Sequence, residues 1–237
     1  MIFIVDFYCF AVKSAVFSCI FWCIILDVLL QKLNVYGIRG HVHHYIRSYI
    51  SDRRQRVKVG SAFSSEKLMN IGIQQGSTLG PLLFIIYVND MLRVSDRLST
   101  ILFADDTCFS LSSSDPREFV DVFNAELGKF CEWTTVNRMS VNMDRTFFMY
   151  HTNKRNITLS SELVCNGQQV KCEESGKYLG VILDRKLNFK LHINYICSKI
   201  SKSIGIMYKL RSFVPMTALV SLYYSLVYPY LSYCNVI

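Results

Sequence analysis

Two adjacent aspartates, Asp105 and Asp106, interrupt an otherwise apolar run from Ser99 to Ser110. Paired carboxylates are costly to take out of water unless something neutralises them. Along a strand they would point to opposite faces, but a hairpin turn brings both to one point. Clustered hard oxygen donors suit a divalent cation such as Mg2+, so the turn is a candidate site for metal-assisted chemistry. A solvent-exposed turn between two strands would carry the same pair, and the residues alone leave both readings open. Cysteine offers no competing metal site. The nine cysteines, at 9, 19, 23, 108, 131, 165, 172, 197 and 234, form no C-x-x-C and no Cys/His cluster with zinc spacing. An odd, dispersed set reads as reduced, buried thiols of an intracellular protein, in nucleus or cytoplasm, rather than as a disulfide scaffold.

Positioning such a turn requires strands and a core, and the pattern supplies both. Ser99–Ser110 reads as two short strands around the acidic pair. Leu29, Leu30 and Leu33 close a helix that Gly37 stops. A basic strand over 52–59 and a second over 71–73, with a Ser-rich turn between them, predict a hairpin. Residues 79–92 are apolar around nearly the whole circumference, so that helix should be covered on several sides. Asp115-Pro116-Arg117-Glu118 predicts a helix start, with Asp as N-cap and Pro in the first turn. Strands follow at 146–150 and 178–183. Ile193, Ile196, Ile200, Ile204 and Met207 then share one helical face, with Lys199 and Lys202 on others. Hairpins outnumber regular β-α-β units, which argues an α+β fold with a largely antiparallel sheet.

Composition sets the outer bounds. The 237 residues are 51% apolar with 11 Gly and 4 Pro, which excludes a disordered or collagen-like chain. There are 26 Lys+Arg against 18 Asp+Glu, a net of +8. Residues 1–30 carry only Asp6, Lys13 and Asp27 as charges, so +9 falls on the remainder. A basic body of this kind favours a polyanionic partner, nucleic acid or an anionic surface, and a solvated basic face would carry the same charge. The apolar residues are uneven too, because 25 of the first 30 belong to the apolar set. Residues 7–26 are long enough to span a bilayer and carry Lys13 as their one charge.

The acidic pair stands as Phe103-Ala104-Asp105-Asp106-Thr107. It follows Gln75-Gly76-Ser77-Thr78-Leu79-Gly80-Pro81-Leu82-Leu83-Phe84 and precedes Tyr178-Leu179-Gly180-Val181-Ile182-Leu183-Asp184. In this order and spacing the chain resembles the reverse transcriptase domain of non-LTR, LINE-like, jockey-type retrotransposons. Leu29-Leu30-Gln31-Lys32-Leu33, Tyr36-Gly37-Ile38-Arg39-Gly40, Tyr223–Val227 and Pro229-Tyr230-Leu231 extend the resemblance over about 27–237. It implies a right-hand polymerase palm, an antiparallel sheet with packed helices, over 27–190. A partial helical thumb would occupy 191–237, with the fingers missing and the domain truncated at both ends. RNA template, DNA primer and dNTPs would be the partners and two Mg2+ ions the cofactors. Asp105 and Asp106 would be catalytic metal ligands. Gln75 and Gly76 would lie beside the incoming nucleotide, and Tyr178, Leu179 and Gly180 would grip the primer end. Arg53, Arg54, Arg56, Lys58, Lys199 and Lys202 would meet nucleic-acid phosphates without reading sequence.

The pattern breaks at the amino end. The family's first metal-bridging carboxylate lies in a segment resembling Phe-x-Asp-x-x-x-Ala-Phe-Asp, and counting back from Asp27 puts Val16 at that place. Valine cannot bind a metal. Residues 1–26 are therefore expected not to match the family: a misjoined or decayed piece foreign to the palm, leaving an enzyme with depressed or no activity. A membrane anchor over 7–26 is a second reading, although a membrane is not the expected partner. A third makes Asp6 the missing carboxylate, with an insertion after it. Asp144-Arg145-Thr146 departs as well, since the family carries Lys-Thr there, and a guanidinium is a poor proton donor.

Overall fold

Apolar runs of five to eight residues bounded by turn formers become strands here, and the longer periodic stretches become helices. The computed structural model describes residues 8–15, 24–74, 76–113, 115–152 and 162–235. In chain order the first elements are β1 (Tyr8–Ala15), α1 (Leu26–Val35) and α2 (Gly40–Ile50). Four short strands follow: β2 (Arg53–Gln55), β3 (Lys58–Val59), β4 (Ala62–Phe63) and β5 (Lys67–Met69). Helix α3 (Leu79–Val88) then leads to β6 (Ser99–Phe103), β7 (Asp106–Ser112) and α4 (Pro116–Val136). Next come β8 (Thr146–Thr152), β9 (Val164–Cys165), β10 (Gln168–Gln169) and β11 (Lys171–Cys172). The rest comprises β12 (Ser175–Tyr178), β13 (Val181–Asp184), α5 (Lys190–Leu210), α6 (Met216–Leu226) and α7 (Tyr228–Ser232). The chain divides into two compact units, Met1–Cys172 and Glu173–Ile237.

The first unit is built on a five-stranded sheet of order β11-β8-β1-β7-β6. Every pairing in it is antiparallel except β11 with β8. The apolar head does not stand apart from this sheet. Residues 8–15 form its central strand, paired with β7 from Cys9↔Ser112 to Ala15↔Asp106 and with β8 from Tyr8↔Thr152 to Ser14↔Thr146. An eight-residue strand saturated on both edges is not a spanning helix. Among the described residues no helix is long and apolar enough to cross a membrane. Val16 and Asp6 lie outside the described residues.

The core follows from burial of neighbouring elements against this sheet. Thr107, Cys108 and Phe109 are consecutive and all buried, as a strand covered on both faces requires. Helix α4 presents Phe119, Val120, Phe123, Leu127 and Phe130, all at 2% exposure or less. Phe130 meets Phe109 edge to face at 4.9 Å. Each such phenylalanine contributes roughly 1.5–3 kcal/mol by leaving water. Tyr87 of α3 is fully buried, and its hydroxyl donates to the Asn137 carbonyl at 2.7 Å, tying α3 to the end of α4.

Helix ends are set by local chemistry. At the end of α1, Ile38 N–H bonds to Leu33 and Gly37 N–H to Asn34, with Gly37 at φ +85°. That is a Schellman stop, and glycine takes the left-handed position without strain. Helix α4 stops by the same bonds, Met139 to Thr134 and Arg138 to Thr135. There the left-handed residue is Arg138 at φ +51°, a conformation that costs about 1–2 kcal/mol for a residue with a Cβ. Two expectations are corrected. The partner of the basic strand is β5 at 67–69, not 71–73; Ile71 instead bridges Ile25. Helix α3 leaves Leu82 and Ile85 more than half exposed rather than covered all round.

Two cysteines meet across the first unit. Cys131 of α4 and Cys165 of β9 bring their sulfurs to 3.3 Å, and Asn166 N–H also donates to Cys131 Sγ. The hydrogen bond from Cys165 draws the Cys131 thiol down to about 7, and the same hydrogen bond, together with burial, pushes the Cys165 thiol up. Iodoacetamide labelling of Cys131 should therefore rise through about pH 7 and level off above it, followed by peptide mass spectrometry. In Cys165→Ala the inflection should move up towards the ordinary thiol range. An unchanged profile in that variant would contradict the assignment.

Candidate functional site

The acidic turn is made by a two-residue hairpin. Phe103 and Asp106 are its last paired residues, with Ala104 and Asp105 between them. A hairpin of this length demands a positive φ at its first turn position, and Ala104 takes φ +48°. Asp105 and Asp106 are both half-buried. Asp106 is paired with Ala15 on its other side, so β1, β6 and β7 all end at the turn. Two carboxylates at one strand-end turn form a hard-oxygen donor set. Oxygen donors of this kind suit a hard divalent cation such as Mg2+. Among the described residues no third His, Cys, Asp or Glu joins them to complete a cluster. The residue next in sequence after Ala15 is Val16.

Gly76 takes φ +81° with nothing within 4 Å of where a Cβ would sit, so its requirement is conformational and not steric. Gln75 lies outside the described residues. Ser77 Oγ accepts from Gly80 N–H at 3.0 Å and holds the first turn of α3. Gly80 itself is needed for space, because a Cβ there would meet Ser77 Oγ at 2.9 Å.

The basic residues separate by role. Arg53 is not a free phosphate ligand. Its guanidinium donates to the carbonyls of Ile50 at 2.8 Å, Ile71 at 3.4 Å and Gly72, clamping the end of α2 to the hairpin. Arg54 is exposed and pairs loosely with Glu66 at 3.6 Å, an interaction worth little in water. Arg56 and Lys58 lie over the exposed Phe63 ring at 4.4 and 5.3 Å. Lys199 and Lys202 are exposed on α5, and the Lys199 ammonium stands 5.6 Å from the Tyr195 ring.

In the second unit, Tyr178-Leu179-Gly180 is not a continuous strand but the turn between β12 and β13. Tyr178 pairs with Val181, and Leu179 and Gly180 take φ +43° and +90°, the signature of a type I′ turn. Tyr233 locks it by donating its hydroxyl to the Leu179 carbonyl. A Cβ on Gly180 would come within 3.3 Å of that tyrosine ring, so glycine answers both to φ and to space. Asp184 organises the next turn, its carboxylate accepting from the N–H groups of Lys186, Asn188 and Phe189 at 3.0, 3.3 and 2.8 Å. His192 Nδ1 accepts from Ile182 N–H at 3.2 Å and joins α5 to β13. The sequence reading put a strand over 178–183 and missed Tyr233, Lys177 and Tyr195 around the turn that stands there. The one available signal was the aromatic density after Pro229.

Comparison with known proteins points one way. A family model described as "Reverse transcriptase (RNA-dependent DNA polymerase)" matches residues 12–183, beginning inside β1. The "Probable RNA-directed DNA polymerase from transposon X-element" of Drosophila melanogaster is 30% identical over 171 residues, 70% of this chain and 19% of that protein. The "RNA-directed DNA polymerase from mobile element jockey" of Drosophila funebris is 31% identical over 155 residues, 62% of this chain and 17% of that protein. Its Drosophila melanogaster counterpart is 27% identical over 198 residues, 79% and 21% respectively. The chain spans about a fifth of the length of the curated relatives it matches.

Proposed function

The chain belongs to the reverse transcriptase (RNA-dependent DNA polymerase) family, and we propose that it is a palm and the start of a thumb from a non-LTR retrotransposon polymerase. The reaction would join a dNTP to the 3′-hydroxyl of a DNA primer on an RNA template, releasing pyrophosphate. Asp105 and Asp106 would hold Mg2+, which when bound activates the hydroxyl and neutralises the leaving pyrophosphate. Gly76 would let backbone approach the incoming nucleotide, and the Tyr178-Leu179-Gly180 turn would meet the primer end. Arg54, Arg56, Lys58, Lys199 and Lys202 would contact phosphates, with Arg53 serving the hairpin instead. The observation that carries this reading is the acidic turn at the end of the central strands, inside a family match that runs from 12 to 183.

Turnover by this chain should be depressed, because Val16 occupies the place of the first carboxylate. Nucleic-acid binding rests on the cations and should survive. Two measurements on a primer–template hybrid separate these properties. Binding should weaken linearly in log–log fashion with salt and change less than twofold in Asp105→Ala. Primer extension with Mg2+ should be slow in the wild type and fall to background in the same variant. No binding at low salt would sink the proposal, and extension that is robust and indifferent to Asp105 would remove the assigned metal ligand.

A further inference from the structure

The second unit contains a cavity of about 520 Å3 walled by Lys177, His192, Tyr195, Tyr230 and Tyr233, with Gly180 at the turn. Its lining is mainly apolar and aromatic, and a space of this size holds one drug-sized molecule. Tyr195 is the focus of its charge. Lys177 Nζ stands 5.0 Å from that ring and reaches its hydroxyl at 3.4 Å, and Lys199 Nζ approaches the same ring at 5.6 Å. The two lysines come from different elements, β12 and α5. Among the described residues neither pairs with a carboxylate. Two unneutralised cations converging on one ring, beside a cavity with tyrosine walls, make a receptor for a flat ring with an anionic group attached to it. His192 lies nearly parallel to Tyr195, with ring centroids 6.4 Å apart. Its Nδ1 is occupied by Ile182 N–H, so a neutral imidazole carries its proton on Nε2.

We propose that this cavity takes one unpaired nucleotide of a single strand, its base against the tyrosines and its phosphate at Lys177 and Lys199. The proposal rests on the nucleic-acid reading above and adds to it a site for a base outside the duplex. Base–aromatic stacking tolerates any sequence, because every base has a π-face. The Tyr233 contact to the Leu179 carbonyl makes one cavity wall part of the turn itself. An occupied cavity would therefore report directly on the conformation of that turn.

The test uses the full chain and a single-stranded oligothymidylate carrying one central 2-aminopurine, whose fluorescence is quenched by stacking. Wild type should quench the probe, and Tyr195→Leu and Lys177→Gln should each weaken the quenching affinity about tenfold. Tyr195→Phe, which keeps the ring, should stay near wild type. Lys177 is exposed, so its variant remains informative if Tyr195→Leu fails to fold, as circular dichroism would reveal. The same probe held in a duplex should show no protein-dependent quench. Unchanged affinity in both variants, or equal quenching of the duplex probe, overturns the proposal. Loss of the quench with primer–template binding intact would remove the cavity and leave the polymerase reading. The reverse pattern would leave the cavity and remove that reading.

Discussion

Val16→Asp is expected to raise RNA-templated primer extension by this chain about 100- to 1,000-fold, by analogy with the loss that follows removal of one charge-stabilising group elsewhere. The argument is electrostatic. Two divalent ions about 4 Å apart repel by roughly 16 kcal/mol at an effective dielectric constant near 20. If the proposed site took two Mg2+, Asp105 and Asp106 would set two negative charges against four positive ones, and a third carboxylate would reduce that imbalance. Val16 is chosen by sequence alone, as the residue that counting back from Asp27 puts at the family's first carboxylate. The gain should vanish in the double variant Val16→Asp, Asp105→Ala. Val16→Asn matches the shape without the charge and should recover little. Asp6→Asn provides the contrast: if Asp6 already served as the third ligand, that change would lower wild-type extension and Val16→Asp would add nothing. A single-turnover extension assay across these variants decides between them.

Lys32→Ala should remove about 3 kcal/mol of stability, the second large effect. The Lys32 ammonium donates to the Tyr87 carbonyl at 2.6 Å and to Asp90 at 2.7 Å. It also lies 4.9 Å from the Tyr87 ring and 5.0 Å from the Trp133 ring, so one charge joins α1, α3 and α4. Burial pulls its pKa below the ordinary lysine value, and the hydrogen bond and charge of Asp90 oppose that shift. Asp90 is 41% exposed, so the ion pair itself adds little. The charged hydrogen bond to the buried carbonyl contributes roughly 1.5–3 kcal/mol, and the ring contacts roughly 0.5–2 kcal/mol. For a chain of this size the melting temperature should fall by about 6–12 °C. Lys32→Met keeps the aliphatic stem and should fall between wild type and alanine. A melt unchanged in Lys32→Ala would show that the three helices hold together without this charge.

Features with a local cause were legible in the sequence. Gly37 after Leu33, Asp115-Pro116 before an apolar period, and an acidic pair inside an apolar run each act through bonds within a few residues. Each appears as the expected helix stop, helix start or hairpin. Features that depend on distant partners were not. A run as apolar as residues 7–26 has no period that separates a strand from a helix, so β1 emerges only when β7 and β8 are laid beside it. Arg53 looks like its basic neighbours until the carbonyls of Ile71 and Gly72 fold back onto it. The stripe Ile193, Ile196, Ile200, Ile204 and Met207 illustrates a different failure. Periodicity tells which residues share a face but not whether anything covers it, and Ile193 and Ile204 remain more than half exposed. The Asn166-Gly167 pair was a readable signal left unused. It forms the tight turn of β9 and β10, with φ of +51° and +73°, and so presents Cys165 to Cys131.

The place of β1 also dictates the order in which this protein can be made. It is translated well before its partners β7 and β8, which lie roughly 95 and 135 residues further on. At roughly 5–20 residues per second, the strand waits on the order of 7–30 s for its second neighbour. During that interval an apolar segment leaves the ribosome with both edges unsatisfied, ahead of the two strands that will pair with it, which invites capture by chaperones or by other nascent chains. Pairings so distant in sequence also place the sheet among slowly closing topologies. For this chain, the centre of the sheet is laid down before either of the strands that flank it.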